Sequence, residues 1–483
     1  MDASELKRRR DALSPEQRRL LEARVRAAAS SAAPIDRRPK GARVPLSPAQ
    51  SKLFAIQQGL PESPLFHIPL SLRVQGPFVP EALEYAVLAV CERHDSLRTT
   101  FRVTNGRPLA IVGRRPPRCI EYFDLTSLGS DECVSTARNL ARARVSEPFD
   151  LVRGPLLRVS VLQLDAEDHV LAITLHHAIA DAHSLGILAR ELSSFYGGGL
   201  RGEPPSLAPL PIEFADYVWS RARNGSDAYA RHLAYWTRQL AVDSSDAAPG
   251  LAFDTHSSDF RTAVHQFHVP QPVADEITKR SAAHAVTPFM YLLAAVKAVL
   301  AVHWRYDDIW TATLTANRTL PELEHLVGLL VNTVPLRTRV RERDTFDELL
   351  SRVRTTVVDA YDHQEVPFEE LADRMRAAGV DPIARIPVLF VLQDTPRPSL
   401  SLDTVAIAPF HLHDASAAEG ATLTTFAMTM TLTPTSSGMD GSILWRTALV
   451  DRESVASIAD AYVRMLSNVC RNSTHPLADL VSA

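Results

Sequence analysis

Residues 170–185 read VLAITLHHAIADAHSL, and this run constrains the fold more than any other stretch of the chain. Val170 to Leu175 have the character of a buried strand, and two histidines end it. Leu185, Leu188, Leu192 and Phe195 then share one helical face. A strand running into a helix presents His176, His177 and Asp181 at a sheet edge, where α/β proteins concentrate their chemistry. Adjacent side chains on a strand point to opposite faces, so while the strand persists only one histidine faces a given cleft.

An imidazole, with a pKa of about 6.5, is suited to taking a proton from an attacking amine or hydroxyl. No GxSxG nucleophile elbow occurs in the chain, so direct attack between two bound substrates fits better than an acyl-enzyme. HExxH is absent and the paired histidines diverge, so no metal is expected. Asp181 would orient the loop or pair with an arginine from elsewhere. Backbone N–H groups in the 176–181 turn could stabilise a developing oxyanion. Spacing alone leaves all this open against a purely structural histidine pair.

The chain's 483 residues, 46% of them hydrophobic, allow two domains of about 200 residues each. A net charge of -4 shows no basic excess, so no nucleic-acid partner is expected. Cys91, Cys119, Cys133 and Cys470 are scattered, without metal or disulfide spacing. A polar N-terminus and the lack of any apolar run of about 18 residues point away from a signal peptide or membrane span, and a cytoplasmic monomer is expected.

Residues 1–44 read as a helix opening at Ser14-Pro15-Glu16-Gln17 followed by a Pro-rich linker, a candidate docking segment. Residues 45–220 form a first lobe, with strands at 67–74, 109–112, 156–164 and 170–175 and helices at 80–93 and 185–195. A helical stretch follows at 211–240. The second lobe, within 221–483, has a strand at 262–269, helices at 273–284 and 288–303, a strand at 309–314, strands at 421–431 and 441–448, and a closing helix at 452–468. The similar element order predicts two lobes of related α/β build, although no clear identity links the halves.

Seven segments in order then carry a resemblance. They are Ser47-Pro48-Ala49-Gln50 with Leu53 and Phe54; Arg93 to Phe101, RHDSLRTTF; His176 to Asp181 with Ser184; Phe214 to Trp219, FADYVW; Val327 to Thr333, VGLLVNT; His363 to Glu369, HQEVPFE; and Pro387, Phe390 and Gln393. Together they resemble the condensation domains of nonribosomal peptide synthetases, HHxxxD acyltransferases, from about residue 45 to the end. The resemblance implies an α/β fold of two-layer lobes, each similar to chloramphenicol acetyltransferase, arranged as a V-shaped pseudo-dimer around a tunnel. It implies His177 as the catalytic histidine and His176 as structural. Asp181 would pair with Arg318, or failing that Arg98, with Ser184 and Ala182 supporting the loop. His183, Asn332, Thr333 and Ala427 would line the substrate tunnel. No cofactor is bound intrinsically. A donor carrier protein supplies an acyl or peptidyl phosphopantetheine thioester, and the acceptor is a second carrier or a free small molecule.

The chain departs from the pattern at Ala182, where glycine is usual, at His183, usually aromatic, and at Ala427, where an acid is usual. These changes widen the acceptor from an amine to a hydroxyl, giving an amide or an ester. An epimerisation-type or binding-only domain and a chain-releasing transferase are the alternatives. The chain fits either a free-standing enzyme or a unit of a longer synthetase.

Overall fold

The computed structural model describes residues 35–203, 205, 207–223, 227–241, 259, 261–393, 400–403, 405–412 and 424–482. The helix expected after Ser14 lies outside the described residues. The strands are β1 (Val44–Pro45), β2 (His67–Gln75), β3 (Thr99–Thr104), β4 (Arg107–Val112), β5 (Ile120–Asp124), β6 (Leu157–Asp165), β7 (Asp168–His176), β8 (Thr262–Pro270), β9 (Asp308–Thr315), β10 (Asn332–Arg339), β11 (Val388–Leu392), β12 (Ala406–Pro409), β13 (Met428–Thr435) and β14 (Gly438–Arg446). They build a five-stranded sheet, β12-β2-β7-β6-β5, a six-stranded sheet, β10-β9-β11-β13-β14-β8, and a small sheet, β1-β4-β3.

The hydrophobic run of β7 is continuous because both its faces are covered. Leu171, Ile173 and Leu175 enter the core under helices Pro80–Arg93 and Ala182–Arg201. Val170 and Ala172 meet Ala137 and Ala141 of helix Ser130–Ser146 on the other face. In the second lobe, helix Pro288–Trp304 is buried at every position from Met290 to Ala301. It packs between helices Phe346–Asp362 and Arg452–Arg471, which explains why it is apolar all round.

The expected boundary at 220–221 does not divide the cores. β12 leaves the second half of the chain and pairs antiparallel with β2, Ala406 opposite Gln75. Leu400 and Leu402 join the first core, as do Leu320, Leu323, Leu326, Val327, Leu329 and Leu330. The helical stretch at 211–240 is two helices, Phe214–Arg221 and Asp227–Gln239. The last hairpin is also displaced from expectation. Its second strand begins at Gly438 rather than Gly441, and Gly441 lies inside β14, where an added Cβ would come within 2.2 Å of the Phe267 ring. The strands meet at Ser436-Ser437, within the expected Gly/Ser/Asp turn; the first of them is Met428–Thr435, and residues 421–423 of the expected strand lie outside the described residues.

The two lobes repeat one local structure closely. Each has an antiparallel hairpin, β6–β7 or β13–β14, that runs into a long helix. His176 N donates to Leu156 O at 2.9 Å, and Arg446 N to Ala427 O at 3.0 Å. Ile179 N donates to His176 O at 3.1 Å, and Leu449 N to Arg446 O at 2.9 Å. Asp181 caps its helix by accepting from Ser184 N at 2.8 Å, and Asp451 accepts from Ser454 N at 2.8 Å. LHHAIADAHS and WRTALVDRES therefore correspond residue by residue, with Arg446 and Thr447 in the places of His176 and His177. The Asp/Ser pair is in the first instance a helix-capping device.

Candidate active site

β7 ends at His176, so the histidines are not held to strand alternation. His176 is fully buried, with its ring near those of Phe66, His67 and Phe149. Its Nδ1 accepts from Ala178 N at 3.1 Å. Burial, reinforced by His67 and His177, pushes its pKa down to about 3, so the ring is neutral and supports the turn from within. His177 is tied by its backbone, N–H to Phe66 O at 2.7 Å, and is partly exposed. Its Nδ1 is buried without a partner, and Nε2 is the ring nitrogen that stays accessible. Among the described residues no carboxylate orients this imidazole.

Asp181 faces the other way. Oδ1 accepts from Ser184 N and from Ser184 Oγ at 2.7 Å. Arg318 donates through Nη1 to Oδ2 at 3.0 Å and through Nη2 to Oδ1 at 3.1 Å. Leu330 N and Val331 N both donate to Oδ2 at 3.1 Å. Burial would raise the carboxyl's pKa, but Arg318 and Ser184 outweigh it and hold it below the usual range. The capping half of this side chain is shared with Asp451. The other half collects Arg318 and two N–H groups from the chain that precedes β10.

Ser184 Oγ also accepts from Gly328 N at 3.1 Å. Gly328 is covered on its other side by Phe214, and an added Cβ would lie 2.1 Å from that ring. Arg318 Nη2 reaches Leu326 O at 3.1 Å, which closes the 326–331 segment around the carboxylate. Gln50 is a site residue that the motif reading did not single out. Its Oε1 completes the capping box of helix Pro48–Gly59, and its Nε2 donates to Ala178 O at 2.9 Å, in the histidine turn. Its place in the Ser-x-Ala-Gln segment was the available signal.

The other expected positions divide. Arg98 is occupied by the carbonyls of Cys91 at 2.9 Å, Glu92 at 3.3 Å and Gly113, so it is not the partner of Asp181. The turn is a poor oxyanion hole, because the N–H groups of His177, Ala178 and Ile179 are already bonded within the fold. Ala427 is fully buried in the second lobe's core and cannot line a tunnel. Asn332 is in the wall of the cavity beside the loop; its Nδ2 donates to Gln364 O at 2.7 Å and Val366 O at 2.8 Å, and its Oδ1 accepts from Phe368 N at 3.0 Å. Thr333 sits in β10 opposite Leu314 of β9. His183 keeps part of its side chain in solvent while its ring is partly buried, with Nε2 3.2 Å from Glu324 O; this partial burial and then Arg318 lower its pKa. Ala182 is the exposed first residue of its helix.

A cavity of about 430 Å³ lies beside this loop, where the lobes meet. Ser47, Tyr217, Arg221, Leu330, Val331 and Glu365 are in its wall; His177 is not. Arg221 and Glu365 form an ion pair at 3.0 Å across it. Among the described residues no group of three or more His, Cys, Asp or Glu side chains could hold a metal ion, and no single helix is long and apolar enough to cross a membrane.

Comparison with known proteins points to one family. The condensation-domain family model matches residues 41–483. A linear gramicidin synthase of Brevibacillus parabrevis is 34% identical over 448 residues, 90% of this chain and 9% of that protein. Phosphinothricin tripeptide synthetase PhsC of Streptomyces viridochromogenes is 32% identical over 486 residues, 99% of this chain and 44% of that one. The chain thus spans less than half the length of these relatives. The X-domain from teicoplanin biosynthesis shares the fold, with a TM-score of 0.77 and 23% identity over 92% of this chain and 99% of that one. SgcC5 from Streptomyces globisporus, crystallised with a naphthyl ethanediol and sucrose, gives a TM-score of 0.71 and 26% identity over 89% of this chain and 100% of its own. With two acetyltransferase-like lobes and the HHxxxD turn held between them by Arg318, this chain belongs to the condensation-domain family of nonribosomal peptide synthetases.

Proposed function

We propose that this domain joins a carrier-bound acyl or peptidyl thioester to an amine or hydroxyl acceptor, with His177 as the residue that acts on the nucleophile. The observation that carries this reading is the division of labour in the turn. Asp181 and His176 are consumed by the fold, whereas His177 keeps an accessible Nε2 with no competing partner among the described residues. The acceptor nitrogen or oxygen attacks the thioester carbonyl, and its proton passes to Nε2. The tetrahedral intermediate collapses, the C–S bond breaks, and the pantetheine thiolate takes the proton back from the imidazolium. Thioester and amine thus become amide and thiol, without an acyl-enzyme. The phosphopantetheine arm comes from the carrier, and the cavity beside Leu330 and Val331, amphipathic and flanking the turn, suits such an arm.

One observation favours a second acceptor class. SgcC5, 26% identical, was crystallised with a 1,2-diol. An alcohol is a poor nucleophile until its proton is removed, so ester formation would depend on His177 more steeply than amide formation. The test is a condensation assay with an acyl-loaded carrier protein, offered amine and alcohol acceptors and read by mass spectrometry of the products. His177→Ala is expected to lose about 10²–10⁴-fold in rate, the range for removing a positioned general base. An unchanged rate in that variant would remove His177 from the chemistry. Product from alcohols alone would select the ester reading.

A further inference from the structure

The segment just before the family's matched region is built into the first lobe. Asp36 N donates to Ser220 Oγ at 3.2 Å. Arg37 donates to Pro211 O at 2.8 Å and Leu210 O at 3.2 Å. Arg38 inserts its guanidinium between two buried carboxylates, 2.7 Å from Asp216 Oδ1 and 3.1 Å from Asp95 Oδ2, and its backbone N–H also donates to Asp216. The family match begins at residue 41, three positions after Arg38.

The acids that Arg38 bridges fix the start of helix Phe214–Arg221. Asp95 N donates to Glu213 Oε2 at 3.1 Å, and Asp95 Oδ2 accepts from Ala215 N at 3.3 Å. Asp216 and Glu213 form that helix's capping box. The helix's first residue, Phe214, is the ring that covers Gly328. Gly328 in turn donates to Ser184 Oγ, and Ser184 binds Asp181. A continuous set of contacts therefore runs from Arg38 through Asp216, Phe214, Gly328 and Ser184 to the catalytic turn.

We infer that Arg38 is a positioning residue for the His177 turn, acting through helix Phe214–Arg221 and the 328–331 segment, and that the chain preceding the family's core is thereby coupled to the active site. Without Arg38, Asp95, Asp216 and Glu213 would face one another with Arg98 as the remaining cation that acts on Asp95 and Glu213 among the described residues. Their mutual repulsion would loosen the start of the helix and lift Phe214 from Gly328. Burial and Asp95 raise the pKa of Glu213 to about 7, so the defect grows as pH rises and Glu213 ionises, and shrinks as pH falls.

The activity part of this inference rests on the function proposed above; the exchange part does not. Arg38→Ala and the milder Arg38→Lys are compared with Lys40→Ala, an exposed neighbour. Amide hydrogen exchange at Leu330 and Val331, the two donors to Asp181 Oδ2, is measured in folded protein at a single fixed temperature. In Arg38→Ala these amides should exchange at least about tenfold faster, with Arg38→Lys intermediate and Lys40→Ala unchanged. In the condensation assay, kcat should fall about tenfold with KM for the loaded carrier unchanged, because a slightly displaced turn costs rate rather than binding. That deficit should be larger in mildly alkaline than in mildly acidic buffer. If Arg38→Ala does not fold, Arg38→Lys alone carries the comparison. Unchanged exchange at Leu330 and Val331 in a folded Arg38 variant overturns the inference. Altered exchange in a wild type inactive on every donor and acceptor pair would instead retain the coupling and overturn the proposed function.

Discussion

Arg318 and Asp181 meet in a two-pronged ion pair that joins the chain after β9 to the cap of helix Ala182–Arg201, with both side chains almost fully buried. Removing the cation would leave a buried carboxylate supported only by N–H groups and a hydroxyl. Arg318→Ala is expected to destabilise the domain by about 3–5 kcal/mol, as for breaking other buried pairs. The acid side has a defined sign. Asp181's pKa is depressed in the folded state, so its stabilisation is complete above the unfolded value of about 4 and fades as pH falls through the folded value. Denaturant unfolding of wild type and Asp181→Asn should show the largest gap at neutral pH and a shrinking one at acid pH.

Gly328 has no room for a side chain. Gly328→Ala would drive a methyl into the Phe214 ring, costing about 1–3 kcal/mol as overpacking does. The strain also displaces the partner of Ser184, so kcat should drop alongside stability. Phe214→Leu should recover part of both in the double variant. A thermal-melt and kinetic double-mutant cycle checks this; strictly additive effects would mean that the two residues do not communicate.

Lys297 is buried in helix Pro288–Trp304, with Nζ donating to Leu336 O at 2.7 Å and Ile309 O at 3.1 Å. Burial, opposed only by Asp308, pushes its pKa down to about 7. For a lysine lowered in this way the unfolded chain binds the extra proton between the folded pKa and the ordinary one. Stability attributable to Lys297 therefore rises with pH across that window, and the cost of the buried charge is full below it. The span is on the order of 3–5 kcal/mol. Unfolding free energies of wild type and Lys297→Met, measured from about pH 6 to about pH 9, should converge or cross in favour of wild type as pH increases. A pH-independent difference would show that Lys297 keeps its proton in the folded chain throughout that range.

Ala182 opens its helix without a left-handed backbone and points to solvent, so the glycine usual in the family is not needed here for folding. Ala182→Gly should change stability by no more than about 1 kcal/mol. The methyl it removes stands next to the turn, so the ratio of amine to alcohol product should move while total turnover persists. Competition between the two acceptors in one reaction measures that ratio, and an unaltered ratio would free Ala182 from any part in acceptor choice.

Much of the first lobe was legible because its signals are local. The run Val170–Leu175, the helix period after Asp181 and the Ser47-Pro48 cap each state their own structure. Arg318 was readable as a partner through the family resemblance, but the N–H groups of Leu330 and Val331 were not, since backbone donors carry no sequence signature. β12 was missed because Ala406–Pro409 has neither length nor alternation; β2 alone makes it a strand. The last hairpin was read with too long a turn, because Gly438 and Asp440 have turn character although both lie in β14. The correspondence of LHHAIADAHS with WRTALVDRES was also overlooked. The shared Asp and Ser spacing was visible, but identity at so few positions acquires meaning only once both hairpins are seen to bond alike.

β12 also has a consequence for anyone who would recombine such domains. A strand contributed by the second half of the chain to the sheet of the first means that neither half is a transplantable part. A chimera cut near residue 220 would import a foreign edge strand at 406–409 and foreign apolar residues at 320–330 into the first core. Productive crossovers should instead exchange residues 35–220 together with 318–331 and 400–412, three pieces of sequence inherited as one.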